Sequence, residues 1–444
     1  MEFGVIAASF VLVSALAVTL QVFFFSPISP DILELPPEHS TRLFAPNNHL
    51  QVNCPIKTYR VFSSCYSQWR SLIFSTRGRK SPDLKNSIKL GWSQTYIPKN
   101  FYTKTTYSPL LREKFGGSAA PSRPLKASPI WLQLGVVKLG EGILNQPEGL
   151  CVDQKGMLYT ATRDGWIKRL HTNGSCENWK KIHNKDTLLG LTVTKAGDLV
   201  VCDTDEGLIK VSEDGVVTAL ATHVSGENIW FADDVVEAGD GSLYFSVAST
   251  KFGLHNWHLD VLEAKPHGQL LKYDPVTMET SLVLDGLGFA NGVAVSLDQE
   301  FLVVCESWKF RCLKYWLKEE MRGKVDVFVD NLPGCPDNIN LAPDGSFWIA
   351  ILQLTSSRMK FVHSSKAIKH VLATFPKLYE RVRAVDRSAM AINVGSDGKI
   401  IKRLDDPTGE VMAFVTSVLE FDGKIYFGSL KNNFVGVLPI KTSA

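Results

Sequence analysis

Short catalytic signatures are missing from this 444-residue chain. It has no CxxC pair, no GxSxG elbow, no P-loop and no GxGxxG turn, and its ten histidines form no ligand motif. Those absences argue against a zinc ribbon, an α/β-hydrolase nucleophile, a P-loop nucleotide site and a Rossmann dinucleotide site. Positive charge is absent from the start of the chain. No Lys or Arg precedes Arg42, so flanking charge sets no membrane orientation. Residues 5–25 carry no charge at all, and 21 such residues can span a bilayer. Residues 1–25 read as an uncleaved signal anchor, with a cleaved signal peptide or a buried helix as the alternatives. Ser26-Pro-Ile-Ser-Pro-Asp then ends any helix.

Charge is unevenly placed. Residues 52–133 hold 14 Lys/Arg against only Asp83 and Glu113, while the whole chain is only +3. The remainder is therefore acidic, which argues against a nucleic-acid partner. Residues 26–51 read as a linker. Residues 52–133 show no period of 2 or 3.6 and read as a basic, disordered insertion, with a small extra domain, a basic surface for acidic partners or translated non-coding sequence as the alternatives.

What the chain does have is a repeat. Six times an apolar strand phrase follows a polar turn: Met157-Leu-Tyr-Thr-Ala, Asp198-Leu-Val-Val-Cys, Ser242-Leu-Tyr-Phe-Ser, Glu300-Phe-Leu-Val-Val, Ser346-Phe-Trp-Ile-Ala and Lys424-Ile-Tyr-Phe-Gly. Most of the turns are rich in Asp and Gly, as at Asp240-Gly, Asp344-Gly and Asp422-Gly. Six β units roughly 40 to 80 residues apart predict an all-β, six-bladed propeller over residues 134–440. Residues 356–387 have helical character and are basic, which predicts an insertion in the fifth blade serving as a lid or a membrane-facing surface.

Four polar residues stand at matching places before or at the start of a strand: Glu148, Asp233, Asn291 and Asp337. Equivalent positions in different blades converge on the propeller axis. Carboxylates combined with amide oxygens are the donor set of a hard cation, Ca²⁺ above all. The competing reading is a set of turn residues that bond their own backbone. Glu306 faces either the channel or a structural partner. His255, His258 and His267 lie in one loop of the third blade and read as surface residues. Cys305 and Cys312 flank a hairpin, as a disulfide or as buried thiols. Asn173-Gly-Ser175 is the one glycosylation sequon.

Gln146-Pro-Glu-Gly-Leu-Cys-Val-Asp, Tyr159-Thr-Ala-Thr-Arg-Asp-Gly-Trp-Ile, Phe289-Ala-Asn-Gly-Val-Ala-Val-Ser and Pro336-Asp-Asn-Ile resemble the strictosidine synthase-like proteins of plants. An animal relative of that family is the adipocyte plasma membrane-associated protein. The resemblance covers about residues 134–440 and the N-terminal anchor. It implies a six-bladed propeller on the lumenal side of the endomembrane system, in the endoplasmic reticulum or vacuole. It also implies a small-molecule substrate and attachment to the membrane through the N-terminal helix.

The family's amine–aldehyde condensation uses a Glu shortly before the last inner strand. That position falls on Thr416, and a nearby His of the pattern falls on Phe414, which argues against that reaction. The wider paraoxonase- and gluconolactonase-type propellers imply a Ca²⁺ site at Glu148, Asp233, Asn291, Asp337 and Asn338. By the same resemblance the catalytic base comes from Asp233, Asp234 or Asp337. Two positions depart from that pattern: Gly149 replaces an acidic residue and Leu189 replaces a His. The expected activity is divalent-cation-dependent hydrolysis of small esters or lactones. The alternatives are a condensing enzyme and a non-catalytic binding propeller.

Overall fold

The structure is a computed structural model. It describes residues 14, 16–24, 26–33, 35 and 135–440, except 172, 353–356 and 384–387. The expectations for residues 36–133 and for most of the anchor lie outside the described residues. Within the anchor, residues 16–24 are helical. Among the described residues, no helix is long and apolar enough to cross a membrane.

Six four-stranded antiparallel sheets form the blades, and their innermost strands touch one another around a ring. Those strands are Leu150–Val152, Leu188–Val193, Ala232–Glu237, Ala290–Val295, Cys335–Leu341 and Val415–Phe421. The six repeated phrases form the second strand of each blade, such as Leu243–Val247 and Phe301–Glu306. Every residue in those two strands is buried, because a neighbouring blade covers each face. A strand covered on both sides reads as a continuous apolar run rather than an alternating one. The core accordingly divides into six clusters, one per blade interface. Phe301, Phe328 and Phe347 anchor the interface of blades 4 and 5, and Val418, Ile425 and Phe427 help fill that of blades 5 and 6.

The sixth blade is assembled from both ends of the propeller. Its outer strand, Val137–Leu139, pairs antiparallel with Val435–Pro439, placing Val137 opposite Val437. At the end of each blade remote from the candidate site, the Asp/Gly turns behave as the sequence predicts. Asp344 Oδ1 accepts from Ser346 N at 3.0 Å, and Gly345 takes the left-handed φ of 84°.

Two helical excursions interrupt the sheets. In blade 3 the segment between the second and third strands holds helix α1, Trp257–Glu263. The three-histidine segment is thus partly helical, a feature missed because a seven-residue helix leaves little periodicity. In blade 5 the insertion holds α2 (Ser357–His363), α3 (Lys366–Thr374) and α4 (Pro376–Arg383). Ser365 caps α3 by accepting from Ile368 N at 3.4 Å, and Leu372 and Ala373 point into the core. Cys305 and Cys312 face each other across neighbouring strands of blade 4 and are disulfide-bonded. Asn173 is exposed in a turn, its Oδ1 accepting from Ser175 N at 2.9 Å.

Candidate functional site

Five of the six inner strands break register once, near the start, while Leu150–Val152 of blade 1 pairs without a shift. In blade 3, Ala232 pairs with Val247 and Val235 with Phe245, so Asp233 and Asp234 together oppose Ser246. The same two-against-one bulge sets Leu189-Gly190 in blade 2, Asn291-Gly292 in blade 4 and Asp337-Asn338 in blade 5. In blade 6 the shift falls between Val415 and Ser417, which leaves Thr416 as the extra residue. Such bulges re-aim side chains, and repetition aims one residue per blade at the axis. The axial set is therefore Glu148, Leu189, Asp233, Asn291, Asp337 and Thr416. In four blades the residue two places earlier has positive φ: Gln146 (49°), Phe231 (54°), Phe289 (62°) and Phe414 (52°). Left-handed backbone at a non-glycine residue costs about 1 kcal/mol or more.

The position after the axial residue is crowded, which explains why Gly149 is not acidic. A Cβ there would lie 2.8 Å from Leu191 Cδ2 and 2.9 Å from Leu189 O, in the next blade. Gly292 is tighter still, at 2.4 Å from Ile339 N.

The acidic and amide side chains at the axis are buried, with Glu148, Asp233, Asn291, Asp337 and Asn338 all between 2% and 5% exposed. Asn338 Nδ2 donates to Glu148 Oε1 at 3.0 Å, and the Asn291 side chain hydrogen-bonds Asp337. With the Asn338 amino group so committed, its carbonyl is left over. Glu148 Oε2, Asn291 Oδ1 and Asn338 Oδ1 are buried acceptors without a hydrogen-bond partner. Burial pushes the Glu148 and Asp233 carboxyls well above the usual range, and repulsion from Asp337 adds to it. Burial likewise pushes Asp337 up to about 8, against the Asn291 hydrogen bond.

Three orphaned oxygens on three blades, within a cluster of buried carboxylates, fit a hard cation. Among the described residues no three His, Cys, Asp or Glu side chains form a metal-binding group. The amide oxygens of Asn291 and Asn338 add the neutral donors that such a cation takes alongside carboxylates.

Asp234 departs from its expected role. Its Oδ1 accepts from Val235 N at 2.9 Å and its Oδ2 from Val293 N at 3.0 Å. Both oxygens are thus spent on backbone, and the side chain staples blade 3 to blade 4. Burial still pushes it up to about 7. Glu306 is structural as well, accepting from Arg311 Nε at 2.6 Å, Lys309 Nζ at 2.7 Å and Gly288 N at 2.8 Å. The Thr416 hydroxyl donates to the Glu148 carbonyl at 3.1 Å.

Sequence reasoning left Arg163 without a role. It lies in the turn between the second and third strands of blade 1, and its charge acts on Glu148 and Asp233. Its Nη2 reaches Asp186 at 3.4 Å, while Nη1 is buried and unpartnered. Aromatic side chains stand beside the axial residues. The Phe289 ring lies 4.5 Å from Trp308 and 5.4 Å from Phe231, and Trp308 stacks on Trp257 at 6.4 Å. Asp260 of α1 fixes that wall by accepting from Trp308 Nε1 at 2.8 Å. Of the three loop histidines, His267 pairs with Glu263 at 2.8 Å and His258 stacks on Tyr379, while His255 is exposed. None of the three joins the axial cluster. A surface depression at Gly197 and Asp214 lies on turns at the opposite end.

These features define a six-bladed propeller with a buried acid–amide cluster on its axis. The family model for strictosidine synthase matches residues 233–320, and that for the strictosidine synthase-like N-terminal region matches residues 135–170. Protein STRICTOSIDINE SYNTHASE-LIKE 4 of Arabidopsis thaliana is 32% identical over 313 residues, covering 69% of this chain and 82% of the relative. The chain belongs to the strictosidine synthase-like family. Rat adipocyte plasma membrane-associated protein is 29% identical, covering 69% of this chain and 86% of that one. Among solved structures, a gluconolactonase from Xanthomonas campestris aligns at 15% identity with a TM-score of 0.49, over 68% of this chain and 87% of that one.

Proposed function

We propose that the chain is a divalent-cation-dependent hydrolase of small esters or lactones, acting on the lumenal side of the endoplasmic reticulum or vacuole. The carrying observation is the trio of unpartnered buried oxygens, Glu148 Oε2, Asn291 Oδ1 and Asn338 Oδ1, set among carboxylates that repel one another. Glu148, Asp233, Asn291, Asp337 and Asn338 would hold Ca²⁺, which supplies polarisation of a carbonyl and stabilisation of an oxyanion. Asp233 is the base of choice, because both Asp234 oxygens are engaged by backbone and Asp337 is engaged by Asn291. A carboxylate held beside the cation can accept a proton from water as it attacks the carbonyl. Arg163 carries the positive charge that acts on Asp233 and so keeps that carboxylate usable. Phe231, Phe289 and Trp308 offer an apolar wall for the acyl or aryl part of the substrate.

Amine–aldehyde condensation is not supported, since Thr416 has no carboxylate and its hydroxyl is committed to Glu148 O. The Cys305–Cys312 disulfide and the exposed Asn173 sequon support a lumenal location. The test is metal analysis of the purified protein together with phenyl acetate and lactone hydrolysis, with and without a chelator. One bound Ca²⁺ and chelator-sensitive turnover are expected. A protein with neither sinks the reading.

A further inference from the structure

The helices gather at the end of the ring where the axial acids lie. Both excursions leave a second strand there, for Val247 pairs beside Asp233 and Leu352 pairs with Cys335, two residues before Asp337. The N-terminal segment is fastened to the same helices. Ser29 N donates to Glu263 Oε1 at 2.7 Å and Asp31 N to Glu263 O at 2.8 Å. Leu33 N donates to His363 O at 3.3 Å, Lys366 pairs with Asp31 at 3.1 Å, and buried Lys369 donates to the Asp31 carbonyl. Ile28 is buried in the core of blades 4 and 5, and Phe23 packs on His370 with ring centroids 5.6 Å apart. Residues 26–33 are thus a docked strap rather than a free linker, and the helix of residues 16–24 precedes it in the chain.

That helix exposes Leu16, Val18, Leu20 and Phe24. The apolar surface continues across the helical cap, where Ile32 is 58% exposed, Phe361 67%, Phe375 42% and Leu378 41%. Exposed Arg358, Lys377 and Arg381 stand on the same helices, and residues 357–383 hold seven Lys/Arg against Glu380 alone. Apolar side chains interleaved with cations, continuous with an apolar helix, match the headgroup layer of an anionic bilayer. An acidic protein is the rival occupant, but the cations continue from an exposed apolar helix, which a lipid surface accommodates. The exposed Asn173 sequon lies at the opposite end of the ring, in the turn between the third and outer strands of blade 1.

We propose that the cap α2–α4 and the strap dock on an anionic bilayer surface. Phe361, Phe375 and Leu378 enter the interface and Arg358, Lys377 and Arg381 meet lipid phosphates, so the axial cluster faces the membrane. The reading stands independently of any hydrolase activity.

The test uses the full chain, with Cys54, Cys65 and Cys176 changed to Ser, reconstituted in phosphatidylcholine vesicles with and without phosphatidylserine. A spin label is placed at Leu378→Cys or, as a control on a turn at the far end, at Val276→Cys, a site 87% exposed. Relaxation by oxygen should exceed that by a water-soluble nickel complex at 378 but not at 276, and phosphatidylserine should enlarge the difference. Lys377→Glu with Arg381→Glu should abolish the phosphatidylserine effect while leaving the thermal melt unchanged. Water-like accessibility at 378 in both lipids overturns the proposal. Exclusion of both relaxants there also overturns it, because it places a protein rather than lipid on the cap.

Discussion

Asp residues stand at both ends of the blades and live under opposite physics. At the turn end, Asp240 and Asp344 accept hydrogen bonds from Ser242 N and Ser346 N, and their carboxyls sit below the usual range. For Asp344 the Ser346 hydrogen bonds are the cause; for Asp240 hydrogen bonds to Ser242 and the Lys272 charge outweigh partial burial. At the axial end, burial raises Asp233, Asp234 and Asp337 together. The same residue type is a turn device at one end and a stored charge problem at the other. Position along the strand, which decides burial, separates the two. Asp234 shows that the axial end also uses Asp structurally, since two backbone amides hold it while burial still raises it.

The sharpest way to break this contrast is Asp233→Asn. If Asp233 is the base, ester turnover falls by about 10²- to 10⁴-fold with the fold intact, read from kcat beside the far-ultraviolet spectrum. An unchanged kcat would make the axial acids structural like the turn acids.

Paired glycine substitutions sharpen it next. Gly292→Ala puts a Cβ 2.4 Å from the Ile339 backbone nitrogen and should cost at least about 1–3 kcal/mol by denaturant titration. Gly345→Ala, at the turn end, meets only Leu297 at 3.6 Å and bears just its left-handed φ, about 1 kcal/mol. Equal losses would mean that blade closure at the axis is no tighter than a surface turn.

The last contrast concerns pH, and its sign differs between the ends. Asp344 has a depressed folded value, so its contribution is present above the unfolded carboxylate value near 4 and is lost as pH falls through the folded value. After allowance for exposure it is about 0.5 kcal/mol, and Asp344→Ala should remove that acid-sensitive part. Asp337 has a raised folded value of about 8, so without a cation the protein should lose stability as pH climbs from the unfolded value towards 8. Melts with and without added Ca²⁺ check this, and the alkaline loss should shrink when Ca²⁺ is present.

Much of the ring was legible because a second strand buried on both faces leaves an apolar run that no other element explains. Phe301–Glu306 and Phe347–Leu352 stood out in this way. Glu148, Asp233, Asn291 and Asp337 were legible through register, because equal offsets from equivalent strands must converge on one axis. The staple at Asp234 was not, since its partner Val293 is 59 residues away. Arg163 sat in a recognisable phrase, but its tie to Asp186 and its effect on Glu148 depend on blade closure. The strap was hidden for the same reason: Asp31 meets Lys366 across 335 residues, and no local pattern announces that contact.

The outer strand of blade 6 carries a consequence for timing. Val137 waits for Val437, so the propeller spans 300 residues before its two edges meet. During synthesis the first blade can form early, but Leu150 and Leu158 have no sixth-blade neighbours until Leu419, Tyr426 and Val435 have left the ribosome. Such long-range pairing folds slowly and leaves open strand edges meanwhile. A nascent chain stalled before residue 435 is therefore an unclosed ring, and this last stretch is where quality control has the longest opportunity to act.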